Sequence, residues 1–195
     1  MKNKKIIFFI ILIILIIIGL FFFFRNNEIK NFRIGNNTSS QEIVDYILNI
    51  NSYEAIIEVD VKSNKNENKY KIKQIYNGND NNSQEVLEPS NIAGVKLIKE
   101  GNNLKLENSN LNLTNILHNY EYISHNILDL HSFIENYKNN SNSKWEEKDN
   151  KILMKTSNRT LYINRENGLP EKMEILDNGK KTAIYILYNE VNVNS

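Results

Sequence analysis

Residues 53–61 read Tyr53-Glu54-Ala55-Ile56-Ile57-Glu58-Val59-Asp60-Val61, and their alternation decides the fold class. Tyr53, Ala55, Ile57, Val59 and Val61 fall on one side of an extended chain, with Glu54, Glu58 and Asp60 on the other. That is the period of a strand with one buried face. The next run repeats it, with Tyr70, Ile72, Gln74 and Tyr76 alternating with Lys71 and Lys73. Shorter strands are predicted at 83–87, 95–99 and 104–107, the last two divided by Gly101-Asn102-Asn103. Strands resume at 143–148, 151–156, 160–164, 172–176 and 182–188. Asn178-Gly179 is the pair a type I′ hairpin turn favours. Asn167-Gly168 marks another turn, and Pro170 stands where a strand begins, since proline has no N–H to give a ladder. Ala183 to Tyr188 is apolar on both faces, which predicts a packed layer on each side.

Two stretches break the strand period. Thr38-Ser39-Ser40 followed by Gln41-Glu42 has the form of an N-cap before a short amphipathic helix, with Ile43, Val44, Ile47, Leu48 and Ile50 as its apolar face. Between Thr114 and Asn139, Ile116, Leu117, Tyr120, Ile123, Ile127, Leu128, Leu130, Phe133, Ile134 and Tyr137 fit helical spacing better, especially from Ile127 onward. The predicted class is mainly β (α+β): a meander of roughly ten antiparallel strands with one helix before it and helical material inserted midway.

Outside this domain, Ile6 to Phe24 is an unbroken run of Ile, Leu, Phe and one Gly. As a helix it spans roughly 28 Å, the thickness of a hydrocarbon core. No small-x-small cleavage site and no lipidation Cys follows, so the segment reads as an uncleaved single-pass signal-anchor over residues 1–25. Lys2, Lys4 and Lys5 favour a cytoplasmic N-terminus and an extracytoplasmic domain, although Arg25, Lys30 and Arg33 lie past the other end. Residues 26–38 read as a polar stalk, leaving 39–195 as one domain.

Composition removes several classes of function. The chain has 195 residues and no cysteine, so disulfides, thiolate metal sites and cysteine nucleophiles are excluded. Taking Lys2, Lys4, Lys5 and Arg25 from a net charge of +1 leaves −3 on the remainder, and no Arg-rich stripe appears. Nothing there attracts nucleic acid. Asn supplies 36 of 195 residues, scattered between apolar strands in the manner of A+T-rich coding sequence.

Chemistry-bearing residues are sparse. Of the three histidines, His118, His125 and His131, the first two stand seven apart and could be imagined with Asp129 as a two-His-one-carboxylate site, but there is no close-spaced His pair, and half-buried histidines at a helix boundary read more simply. Glu146 and Glu147 point to opposite strand faces, while Glu166 and Glu171 bracket a turn. No nucleophile elbow, phosphate-cradling glycine loop or H-E-x-x-H is present. The expectation is no catalytic residue, no metal and no cofactor. Tyrosines on the predicted strands are core and cross-strand partners in the simple reading. The sharper one makes Tyr70, Tyr76, Phe133, Tyr162 and Tyr188 the lining of a hydrophobic cavity under the helices.

Tyr70-x-x-x-Gln74-x-Tyr76, Glu85-Val86-Leu87-Glu88-Pro89, Gly94 and Gly101-Asn102-Asn103-Leu104 resemble the first half of LolA-like lipoprotein carriers. Leu161-Tyr162-Ile163-Asn164, Gly168-Leu169-Pro170-Glu171-Lys172-Met173, Asp177 and Tyr188-Asn189-x-x-x-Asn192 continue that resemblance to Asn194. Composition and size are most similar to the clostridial germination protein GerS and its relatives. The resemblance implies a curved half-barrel sheet capped by helices and a non-catalytic, extracytoplasmic protein. For the GerS branch it implies a role in spore cortex modification or germination, with a cell-wall amidase as partner. GerS is a lipoprotein; this chain has no Cys and carries an apolar segment instead. The matching Pro89, Gly94, Gly168 and Pro170 are turn-formers, so no binding residue is carried over. Two expectations follow, a partner-binding module with an exposed apolar patch or edge, and a carrier or sensor of lipid or acyl chains with an open cavity. A hydrolase with converging carboxylates ranks third.

Overall fold

The computed structural model describes residues 37–63, 66–78, 81–100, 103–108, 110–118, 128–177 and 182–193. The apolar segment Ile6–Phe24, nearly all of the stalk, His125 and the Asn178-Gly179 turn lie outside the described residues.

Helix α1 (Ser40–Leu48) opens the domain, followed by β1 (Ser52–Lys62), β2 (Glu67–Asn77), β3 (Asn81–Glu88), β4 (Val95–Glu100), β5 (Asn103–Asn108) and β6 (Leu113–Leu117). Helix α2 (Leu130–Asn139) then precedes β7 (Lys144–Lys148), β8 (Lys151–Lys155), β9 (Arg159–Asn164), β10 (Pro170–Asp177) and β11 (Thr182–Val193). All eleven strands form one sheet, ordered β6-β5-β4-β3-β2-β1-β11-β10-β9-β8-β7. It consists of two antiparallel meanders, β1–β6 and β7–β11, joined where the first strand meets the last. That seam runs from Tyr53 opposite Val193 to Lys62 opposite Ala183, with a register shift between Ile56 and Ile57.

Alternation places Tyr53, Ala55, Ile57 and Val59 on the buried face of β1, and register carries the same face to Tyr76, Gln74, Ile72 and Tyr70 of β2. Met173, Ile186, Leu161, Met154 and Ile152 extend it through the second meander. Against this face pack Ile43, Val44 and Ile47 of α1 and Leu130, Phe133 and Ile134 of α2, all in one cluster. Each such side chain contributes about 1.5–3 kcal/mol by leaving water. Ser39 closes a capping box with Glu42 at the start of α1, as its sequence predicts. Gly94 and Gly168 adopt φ of 84° and 64°, conformations that favour glycine, and Pro170 opens β10.

Three expectations are corrected. The sheet has eleven strands, not ten. Leu113–Leu117 pairs with β5 as a strand, so the helix in this part of the described chain is confined to Leu130–Asn139. A five-residue apolar run carries too little periodicity to separate strand from helix, and the open edge of β5 settles it. Finally, Ala183–Tyr188 is packed on one face only: Ile186 and Tyr188 are buried, whereas Leu187 is 45% exposed on the other side. Among the described residues, no helix is long and apolar enough to cross a membrane.

Candidate functional site

The five tyrosine and phenylalanine positions predicted to line a cavity do not share one environment. Phe133, Tyr76 and Tyr188 are buried in the helix-covered core, and Tyr70 packs partly buried at its margin. Tyr162 stands on the opposite face, across the ladder from Lys172 and Leu153. Its hydroxyl donates to Glu174 Oε2 at 3.1 Å. Tyr76 stacks on His131 with ring centroids 4.2 Å apart, and burial together with Asp129 and Glu135 pushes its hydroxyl up to about 12.

A polar inlay lies under α2. Asp129 caps the helix by accepting from His131 N at 3.1 Å, and it also accepts from the Tyr53 hydroxyl. Tyr53 Oη in turn accepts from Leu130 N at 3.2 Å, while Gln74 Nε2 donates to Leu128 O at 3.1 Å. Burial raises the Asp129 carboxyl above its ordinary value, only partly offset by these hydrogen bonds, and raises the Tyr53 hydroxyl further. Burial also lowers the His131 imidazole. This arrangement fixes α2 on β1 and β2. Of the imagined His118, His125 and Asp129 set, His125 lies outside the described residues; among the described residues no cluster of His, Asp and Glu could hold a metal ion. The signal for the true role was present in sequence, an Asp immediately before a helical run. A helix-side pocket next to the inlay, bordered by Tyr53, Gln74, Leu97, Leu104 and Asp129, has a volume of about 50 Å³; a second, of about 480 Å³, is bordered by Ile50, Tyr76, His131, Ile134 and Lys138.

The larger cavity is on the helix-free face, a groove of about 600 Å³ over β1, β2, β10 and β11. Its walls include Glu58, Asp60, Lys62, Lys71, Glu88, Pro89, Lys172 and Tyr185. Lys172 Nζ lies 5.5 Å from the Tyr162 ring centroid and 5.3 Å from that of Tyr185, and 2.6 Å from Glu174 Oε1. Lys62 Nζ also approaches the Tyr185 ring, at 5.8 Å from its centroid. Sequence reading missed this Tyr–Lys–Tyr sandwich because it depends on register between three strands.

The groove's carboxylates do not converge as reacting groups. Cross-strand register sets Glu58 opposite Lys71, Asp60 opposite Lys69, and Glu88 opposite Lys71. Lys62 is 3.5 Å from Asp60 and 3.8 Å from Glu67. A face of paired charges over an aromatic floor can recognise a polar surface by hydrogen bonds and cation–π contacts.

A clamp holds the start of the domain. Arg165 donates to Thr38 O and its Nε lies 3.8 Å from Glu147, which accepts from Ser40 Oγ. Helix α1 is thereby tied to the β7–β9 end of the sheet.

The model of a sporulation protein family, described as YdcC-like, matches residues 3–195. The chain belongs to the YdcC-like sporulation proteins. Solved structures similar to this YdcC-like chain include the GerS lipoprotein complexed with the CwlD amidase of Clostridioides difficile. That match has 23% identity and a TM-score of 0.44, covering 83% of this chain and 96% of the other. A conserved protein of Thermus thermophilus is similar at 13% identity and TM-score 0.49, covering 81% and 89%. A LolA superfamily protein of Nitrosomonas europaea is similar at 12% identity and TM-score 0.42, covering 81% and 94%. No curated protein matches the chain.

Proposed function

We propose that this YdcC-like protein is a membrane-anchored, non-catalytic binding protein of the sporulating cell envelope, acting through a cell-wall amidase in cortex modification or germination. The observation that carries this reading is the family match, which takes in the N-terminal apolar segment together with the sheet domain. The groove on the helix-free face supports it: Asp60 is ion-paired with Lys62 at 3.5 Å and Glu58 accepts from Asn189 Nδ2 at 2.8 Å, so these carboxylates serve contacts within the sheet surface. The partner class is that of the amidase in the GerS complex. Ile6–Phe24 serves as the single-pass anchor, with the N-terminus cytoplasmic and the domain outside.

The reading is tested with the detergent-solubilised full chain and the CwlD-type amidase of the same genome. Co-elution in fixed stoichiometry, with altered amidase turnover on purified peptidoglycan, is expected. Separate elution at tens of micromolar overturns it. Membrane topology has its own check: the chain should resist carbonate extraction, and its domain should be digested by protease added to intact protoplasts.

The lipid or acyl-chain carrier reading, with a cavity lined by Tyr70, Tyr76, Phe133, Tyr162 and Tyr188, has less support. Its five lining residues do not gather on one pocket: Tyr76 borders a helix-side pocket of about 480 Å³ and Tyr70 the groove on the other face, while the pocket beside Asp129, about 50 Å³, is far below the roughly 300 Å³ of a ligand site. Native mass spectrometry of the purified chain distinguishes the two, since a carrier retains lipid.

A further inference from the structure

Among the described residues the sheet ends in two edge strands, β6 and β7, and they are built differently. β7 carries four charged residues in five, Lys144, Glu146, Glu147 and Lys148, which guard it against pairing with another chain. β6 carries none: it reads Leu113-Thr114-Asn115-Ile116-Leu117, and its first four residues are exposed. Exposed apolar side chains collect here as well. Of six large exposed hydrophobics among the described residues, Leu106, Leu111, Leu113 and Ile116 lie on β5, on β6 or in the turn between them, with Leu113 60% and Ile116 47% exposed. Among the described residues the edge therefore offers backbone groups that no second strand pairs, and apolar side chains with no charge on the strand to keep another away.

We propose that β6 pairs antiparallel with β6 of a second copy of this chain, about a twofold axis through Asn115. The occupant follows from the strand's own pattern. A twofold axis at Asn115 sets Leu113 opposite the partner's Leu117 and Thr114 opposite the partner's Ile116. Asn115 then faces its own mate, where the two amides can exchange a hydrogen bond. Leucine meets leucine on one face and β-branched side chains meet on the other, the cross-strand combinations that stabilise sheets. Moving the axis by one residue breaks the match: centred on Thr114, Leu113 meets Asn115, and centred on Ile116, Asn115 meets Leu117. Leu106, which pairs with Asn115 within the chain, lies behind the same face, so the seam continues an apolar surface already present. The contact is isologous and closes as a dimer, because each copy spends its unguarded edge and leaves outward the charged β7. This dimer is independent of which partner or ligand the groove takes.

The absence of cysteine makes the test clean, because a single introduced thiol reports alone. Two residues facing each other across an antiparallel pair have Cα atoms about 4.5–5.5 Å apart, within reach of a disulfide. The full chain carrying Asn115→Cys, solubilised in detergent and mildly oxidised, should migrate as a covalent dimer on a non-reducing gel. Glu146→Cys on β7 should stay monomeric. Adding Ile116→Lys to Asn115→Cys should abolish the dimer, and Ile116→Lys alone should weaken self-association in sedimentation at least tenfold with an unchanged circular dichroism spectrum. An Asn115→Cys chain that stays monomeric while its thiol reacts with maleimide overturns the proposal. So does a self-association that Ile116→Lys leaves unchanged. A cross-link in cell membranes to a protein of different mass overturns it too, and reassigns the edge to a foreign strand.

Discussion

At Asp129 one carboxylate caps α2 and receives the buried Tyr53 hydroxyl, so a single side chain ties a helix to the central strand. Asp129→Ala removes the cap, worth about 1 kcal/mol, and orphans a buried hydroxyl, worth about 1–3 kcal/mol more. A loss of about 2–4 kcal/mol in urea denaturation is expected. Its neighbour titrates in the opposite sense. Asp129 has a folded value raised above 3.8, so its contribution is complete below that value and is lost as pH rises through the raised one. His131 has a folded value below 6.5, so its contribution is complete above pH 6.5 and is lost as pH falls through the depressed value. His131→Gln should therefore lose less stability than wild type between pH 7 and pH 5. An equal loss in both would show that His131 is not held neutral by its packing. Gly78 gives a third test at this scale, with φ of 71° and nothing within 4 Å of an added Cβ. Gly78→Ala should cost about 1–2 kcal/mol from backbone conformation alone, and Gly78→Asn less.

Helix α1 was legible at the level of an element. Ser39 and Glu42 announce its start, and the spacing of Ile43 and Ile47 gives its buried face. Ile47 is fully buried, so Ile47→Ala should cost about 2–5 kcal/mol through lost transfer energy and the cavity left behind. Chemical denaturation with near-ultraviolet circular dichroism would show the loss. Strand β6 was not legible, because Ile116 and Leu117 suit a helical or an extended period equally well. The sharp cavity reading failed to gather its five residues for a related reason: Tyr70, Tyr76 and Tyr188 have the parity of the helix-covered face, and Tyr162 has the other. Parity is fixed within one strand by alternation, but between strands only by register.

Across the whole molecule the sheet is closed by its longest-range pair, β1 with β11, and both strands have neighbours on each side. Their amides should exchange with solvent only on global unfolding, while those of β7 at the charged edge should exchange through local opening. Hydrogen-exchange mass spectrometry resolves the two classes. Uniform protection across the sheet would contradict this order.

What the sequence determined by itself is what local physics dictates. It set the strand-rich class from period-2 alternation, α1 from its capping box, the turns at Gly94 and Gly168 from conformational freedom, and the exclusion of thiol chemistry from composition. Only the tertiary structure decided what depends on residues far apart in the chain. It seated β1 against β11, set Lys172 between Tyr162 and Tyr185, buried Asp129 on Tyr53, and left β6 as an unguarded edge. The physical reason is that strand pairing is carried by identical backbone groups. The sequence marks where strands are, and packing of the whole sheet selects which edges meet.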